Sequence, residues 1–385
     1  MSSLAYSGPY DYDINRHGDK YVATPRHGFD YIKDTSLSTV WLAINAELGR
    51  GPAVKFGAST ATTPFVVDAT LETEYQGTII SGLGPERSIL TLGAGVDDDM
   101  IRNTNSEFHR NTRIENICLD GNRTGNAAGR GIELAVAAAT GGTEQFFAWL
   151  ALRNVIITEC DQEALNMVST SGVLCTLEMD NVRMWDCDGD GNGYQIYLER
   201  IFDGHIHGWS MISSMRMKTC ATMQAQGVYF AGGIDNLVQI DGGDANYAAT
   251  GNIFYGCRFD NASGTALLLD DYAKRNGFIG CHFTNQAQGH GDNTAPCIEV
   301  NNNALYNMFS DCFMGHNNII TTNRWNYAFS ELVDSYSKLR ACTAGYGAIL
   351  GGNADHFGTA QLNLAGGSHT DVGADCVRDD GTAWA

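Results

Sequence analysis

The stretches "NIFYGCRF" (residues 252–259), "NGFIGCHF" (276–283) and "NMFSDCFM" (307–314) repeat one pattern at intervals of 24 and 31 residues. Each opens on Asn and carries Phe254, Phe278 or Phe309 three residues before a cysteine. Phe259, Phe283 or Met314 follows two residues after it. Two further copies, "NVIITEC" (154–160) and "NVRMWDC" (181–187), lie 27 residues apart, and "RIENICLDGNR" (113–123) is a looser one. A period in the twenties with short strands and glycine turns marks a solenoid. Helical periodicity is weak and the leucine-rich pattern is missing, which leaves a parallel β-helix. Alternate side chains of each short strand then point inward and stack ~4.8 Å above the coil below. Asn ladders run along the turns, Phe and Ile fill the lumen, and Cys acts as a small buried hydrophobe. No C-x-x-C pair is present, which favours packing over a metal or redox role for the cysteines. Cys160, Cys187, Cys257, Cys281 and Cys312 are therefore expected to be reduced and lumenal.

Composition agrees with a β-rich chain. Of 385 residues, 45 are glycine and 6 proline, and 43% are hydrophobic, enough for a substantial core. The net charge of -20 argues against nucleic-acid binding, which needs a basic patch. No apolar run is long enough for membrane insertion. Arginine outnumbers lysine and aspartate outnumbers glutamate, a balance that suits high salt. "MSSLAYSGPYDYD" (1–13) has neither a basic start nor an apolar segment, so no Sec signal peptide is expected. Either the chain reaches its place without Sec export or a leader has been trimmed.

The first 52 residues read as an extension with a capping helix. "STVWLAINAEL" (38–48), with Ser38 as its cap, suits a short amphipathic helix covering the open end of the solenoid. Coils run from 53 to 350, beginning with "AVKF", "FVVDATL" and "TIISGLGPERSILTL". Residues 351–385 form a polar, glycine-rich closing segment.

Taken together, "YDYDINRHGDKYVA" (10–23), that helix, "AVKFGAS" and "GTIISGLGPERSILTL" resemble the opening of right-handed parallel β-helix proteins of the pectate-lyase-like superfamily. The start resembles proteins of archaea and their viruses. "GLGPERSIL" resembles a turn common to phage tailspikes and polysaccharide-cleaving enzymes. The resemblance spans residues 10–350 and implies an all-β, right-handed, single-stranded parallel β-helix. The D-P-H-E motif of mannuronan epimerases and the Arg-centred signature of calcium pectate lyases are both missing.

Candidate chemistry concentrates between residues 178 and 244. Carboxylates on adjacent coils sit at distances that suit glycosidase pairs, and Asp235 and Asp241 are the catalytic candidates. Aromatic rings stack on sugar faces, so Trp185, in a turn, is the candidate platform. His205 and His207 share one strand face, and Arg200, Asp203 and Asp244 complete the glycan-binding set. Trp209 aligns with the cysteine column and is expected inside the lumen. Asp186, Asp188 and Asp190 in "DCDGDGNG" (186–193) resemble half of a calcium loop. The twelfth position, however, is Tyr197, so this is no EF-hand. The stretch reads first as an acidic turn, and calcium is the cofactor it would hold if it binds one.

The sequence thus leads to a virion protein, a tail fibre, tailspike or capsid-surface protein. Its expected partners are a host polysaccharide or surface glycoprotein and other virion proteins, with a homotrimer as its assembly. The alternatives are a secreted polysaccharide lyase or glycoside hydrolase, and a purely structural scaffold.

Overall fold

The computed structural model describes residues 10–26, 30–73, 77–103, 111–136, 146–169, 173–187, 193–232, 236–243, 248–260, 262, 264–285, 296–301, 303–316, 329–331, 337–344, 350–352 and 359–364. It divides into two compact units, 1–190 and 191–385, a division that the sequence did not signal.

The first unit opens with an antiparallel meander, Tyr12–His17, Lys20–Pro25 and Ile32–Asp34. Tyr12–His17 also pairs in parallel with Ala53–Phe56, which joins the meander to the coils. The α-helix Leu37–Leu48 begins one residue before the expected 38–48. Its cap is Ser36, whose Oγ accepts the Thr39 N–H at 3.0 Å, and Ser38 lies within the first turn. Gly49 closes the helix in the left-handed region at φ 58°. Leu37, Val40, Trp41 and Ile44 are buried, and Trp41 Nε1 donates to the Glu72 carbonyl of the first coil at 2.7 Å. Coils follow in parallel register. In the long strands Thr112–Asp120, Phe146–Thr158 and Val173–Trp185, the bend between two faces is made by Asn116, Asn154 and Asn181, each in the left-handed region. Their amides bond in series, Asn181 to Asn154 and Asn154 to Asn116, both at 2.9 Å.

Among the described residues the second unit has three long parallel ladders and a short fourth one, Ala249–Thr250 with Ala273–Lys274. The first contains His205–His207, Gln224–Gln226, Ile253–Tyr255, Gly277–Ile279, Met308–Ser310 and Lys338–Ala344. The second, one bend further along each coil, contains Met211–Ile212, Tyr229–Ala231, Arg258–Asp260, His282–Asn285 and Phe313–His316. The third contains Ile196–Glu199, Met215–Lys218, Val238–Asp241, Leu267–Leu269, Ile298–Val300, Phe329–Glu331 and Leu350–Gly352. Strand Thr359–Leu364 adds one more rung beyond the expected limit at 350, and residues 365–385 lie outside those described.

The repeat columns stand as the sequence spaced them. Phe254, Phe278 and Phe309 stack at 5.0 and 4.9 Å between centroids, and Phe259 stacks on Phe283 at 4.5 Å. Stacking of this kind adds roughly 0.5–1.5 kcal/mol per pair to the burial of the rings. Asn252, Asn276 and Asn307 form a fully buried amide chain, with Nδ2 to Oδ1 distances of 2.9 and 3.0 Å. Cys281, Cys312 and Cys342 each place Sγ within 3.3–3.5 Å of the carbonyl of a lumenal Phe on the preceding coil. The described cysteines, including all five named above, are buried and unbridged. Burial pushes the Cys118 and Cys220 thiols up to about 12, far from the thiolate needed for reactivity.

Candidate functional site

Between the first and second ladders each coil makes a tight bend on a residue in the left-handed region: Gly208, Gly227, Gly256, Gly280, Asp311 and Ala341. The next inward position is Val228, Cys257, Cys281, Cys312 or Cys342. The Val228 and Cys257 carbonyls receive the Arg258 and His282 N–H groups of the coil above. In the first coil that role falls to Ser210, whose carbonyl accepts the Tyr229 N–H at 3.0 Å and which is itself buried.

The expectation that Trp209 is lumenal is therefore wrong. Four residues separate Ile206 from Met211 where three separate Ala225 from Tyr229, although both ends pair in register. The extra residue is Trp209, and it is 90% exposed. Aligning Gly208 with Gly227 puts Trp209 opposite Val228. Only the register of Met211 on Tyr229 shows that Ser210 fills the column.

Beside this bend lies an open groove of about 320 Å³, lined by His205, Ile206, His207, Gln224, Gln226 and Tyr255. Ile206 and Ala225 point inward and are buried. Alternation along the strands therefore sends His205, His207, Gln224 and Gln226 outward. Register places His205 beside Gln224, and Gln226 beside Tyr255. Tyr255 is 41% exposed. The lining offers an aromatic face, two imidazoles and two primary amides, with an indole on the adjoining bend. Those are groups that stack on sugar rings and hydrogen-bond hydroxyls. Among the described residues, the groove's lining has no carboxylate. Its volume sits at the lower end of the ~300–1,000 Å³ range of small-molecule sites, and it is open rather than enclosed.

The other candidates are dispersed. Asp241 lies on the third ladder, buried, with Oδ2 accepting from Arg216 Nε and Nη2 at 2.9 and 2.8 Å. Burial raises its carboxyl above the ordinary range, against the pull of Arg216. Around it are Tyr197, bonded to Glu199 at 2.8 Å, and Lys218, paired with Glu199 at 3.3 Å. Arg200 and Asp203 stand at left-handed positions between the third and first ladders, and Asp203 accepts from Thr222 Oγ1 at 2.6 Å. Trp185 belongs to the first unit, half-buried at the end of Val173–Trp185. Asp186 is exposed at φ 55°. Asp188, Asp190, Asp235 and Asp244 lie outside the described residues. Calcium binding at the acidic turn thus stays an expectation. Among the described residues no group of three or more His, Cys, Asp or Glu is arranged to hold a metal.

Sequence reasoning also passed over a charged cluster of the first unit, at and around strands Ile101–Arg102 and Ile132–Val136. Arg130 Nε bonds Glu163 at 2.9 Å and its Nη1 meets Glu133 at 3.2 Å, while Arg102 bonds Asp98 at 2.7 Å and Glu72 at 3.0 Å. Asp99, buried among them, is pushed up to about 7 by burial and by contact with Glu133.

The sequence matches no protein-family model and no curated protein. Solved structures do match. The A-module of Azotobacter vinelandii mannuronan C-5 epimerase AlgE6 aligns with a TM-score of 0.60 at 12% identity, covering 86% of this chain and 95% of that one. The A-module of AlgE4 from the same organism aligns at 0.52 with 14% identity, covering 86% of this chain and 94% of that one. Both are bacterial, so the archaeal likeness of the N-terminus finds no support in them. No helix among the described residues is long and apolar enough to cross a membrane. With its parallel ladders, lumenal columns and these neighbours, the chain has the fold of a right-handed parallel β-helix.

Proposed function

We propose that the chain recognises an extended polysaccharide along the groove of His205, His207, Gln224, Gln226 and Tyr255, with Trp209 as the stacking platform. The observation that carries this reading is the inserted bend residue. A tryptophan 90% exposed contributes nothing to the lumen, and it stands beside a groove lined with sugar-compatible groups. Recognition is the first reading because the described lining supplies stacking and hydrogen-bonding groups, whereas hydrolysis calls for two carboxylates across the bond. The biological setting we propose is a virion surface, as a tail fibre or tailspike binding host glycans.

Trp209→Ala should weaken binding to purified host-surface polysaccharide by about 1–3 kcal/mol, the cost of truncating a hot spot, with the melting temperature unchanged. Unaltered binding by Trp209→Ala would exclude the groove. Trp185→Ala tests the earlier platform in the same assay.

Polysaccharide cleavage is the second reading. It is favoured by Asp99, a carboxyl held near 7 beside Glu133, since acid–base chemistry at neutral pH requires such a group. Release of reducing ends or of unsaturated uronate absorbance, abolished by Asp99→Asn, would establish it. The same assay on Asp235→Asn and Asp241→Asn tests the sequence-based pair.

A further inference from the structure

We infer that the second ladder of the second unit carries a subsite for an anionic substituent, a carboxylate or a sulfate, on the polysaccharide laid along the groove. The inference rests on the glycan-recognition reading and adds the chemical class of the glycan. Its core is Arg258, with nearly half of its side chain exposed. Arg258 Nη2 bonds Asp260 Oδ2 at 2.8 Å, and the Tyr229 hydroxyl donates to the same oxygen at 3.2 Å. The guanidinium also lies over the Tyr229 ring, 5.5 Å from its centroid. Asp260 is 0% exposed. The carboxylate is thus on the protein side of the guanidinium and fixes its orientation. One of the five guanidinium N–H donors is used on Asp260, and the exposed remainder is available to a ligand. His282 is the register neighbour of Arg258 on the next coil, exposed, with its ring centroid 6.0 Å from that of Phe313. An oxyanion suits a fixed guanidinium, and His282 stands on the neighbouring rung as a second donor.

The distribution of charge points the same way. Among the described outward positions of the first and second ladders, the one carboxylate is Asp260, and it is fully buried. Asp311 lies in a bend, bonded to Ser310. The same two faces carry Arg258, Lys338, Arg340 and the imidazoles of His205, His207 and His282. Acidic groups gather on the third ladder instead, at Glu199, Asp241 and Glu299. In a chain of net charge -20, two neighbouring faces whose described outward positions carry no exposed carboxylate repel a polyanion less than the acidic third ladder does. The second-ladder subsite and the groove are separated by one bend, so a single extended chain can reach both.

The test is a calorimetric titration with matched probes. Oligogalacturonate is compared with its carboxyl-reduced neutral counterpart, and dextran sulfate with dextran. Tighter binding of the charged member by about tenfold is expected, the worth of one charged hydrogen bond. The pair showing the larger ratio tells carboxylate from sulfate. His282→Gln and the double variant Arg258→Gln/Asp260→Asn should each remove most of that preference and leave the neutral probe's affinity as it was. The double variant removes both charges, so no buried carboxylate is left alone, and His282 is exposed enough that its replacement leaves folding intact. Equal affinity for charged and neutral members in both pairs, a preference intact in both variants, or failure of both anionic probes to bind would each overturn the subsite. If the preference vanishes but Trp209→Ala still weakens binding, the groove stands without the subsite. If Trp209→Ala changes nothing, the groove reading fails by itself.

Discussion

Asn276 sits at the middle of the buried amide chain, and replacing it with alanine tests the ladder directly. Its Oδ1 accepts from the Asn252 N–H at 3.1 Å and from Asn252 Nδ2 at 2.9 Å. Its Nδ2 donates to Asn307 Oδ1 at 3.0 Å and to the Ala249 carbonyl at 3.3 Å. Not all of these losses are equal. Asn252 Nδ2 keeps the Cys220 carbonyl, and Asn307 Oδ1 keeps the Asn276 backbone N–H. The Asn252 N–H loses its acceptor at a site with no exposure to water. A buried donor left alone costs ~1–3 kcal/mol, and each remaining lost bond ~0.5–1.5 kcal/mol. Asn276→Ala should therefore destabilise the second unit by about 4 kcal/mol. Urea unfolding followed by circular dichroism reads the change, with Asn276→Asp as companion. At neutral pH the aspartate offers no donor and buries a charge, so it should be at least as damaging. On acidification its protonated carboxyl again offers a donor and an acceptor, and the deficit relative to wild type at the same pH should shrink. A loss below about 1 kcal/mol for Asn276→Ala would mean that water replaces the amide, and the argument from buried hydrogen bonds would be refuted.

Thiol titration of the native protein should find few reactive groups, with the rest appearing on unfolding; disulfides among Cys160, Cys187, Cys257, Cys281 and Cys312 would contradict the lumenal columns. The raised Asp99 carboxyl binds a proton more tightly in the fold than in the unfolded chain, whose value is about 3.9. Its contribution is complete below about pH 4 and is lost as pH rises through about 7. Thermal midpoints should fall across that window, and less steeply in Asp99→Asn; equal slopes would remove Asp99 as the cause. Exposed strand faces on neighbouring ladders suit side-by-side packing, and a homotrimer is expected; light scattering that gives a mass near 41.6 kDa at working concentration would refute it.

The fold was legible because a solenoid writes each inward column several times over. Asn, Phe and Cys recur at spacings that survive changes in loop length, so Phe254, Phe278 and Phe309 could be aligned before any coordinate was known. Outward positions have no such redundancy. His205 and His207 were legible as a pair because strand alternation alone puts them on one face. Trp209 was not, because Met211 and Ile212 are both apolar and either satisfies the inward position. The sequence pattern is the same with and without a bulged residue in the bend, and the register of Met211 on Tyr229, with the Tyr229 N–H on the Ser210 carbonyl, decides. Asp241 illustrates a second blindness. Proximity along the chain gathered it with the histidines, whereas a solenoid sends neighbouring segments to different sides of the coil.

The additional bend residue has an evolutionary implication. Since each coil touches chiefly the coils above and below it, lengthening one bend by a single amino acid leaves the interior columns of every other coil in place. The surface then acquires a large side chain at one rung, at no expense to the packing that holds the others. Recognition on such a scaffold can change by insertion and deletion, one rung at a time, rather than by substitution within a fixed pocket. Related chains that recognise different targets should differ most in the lengths of these bends and least in the residues on either side.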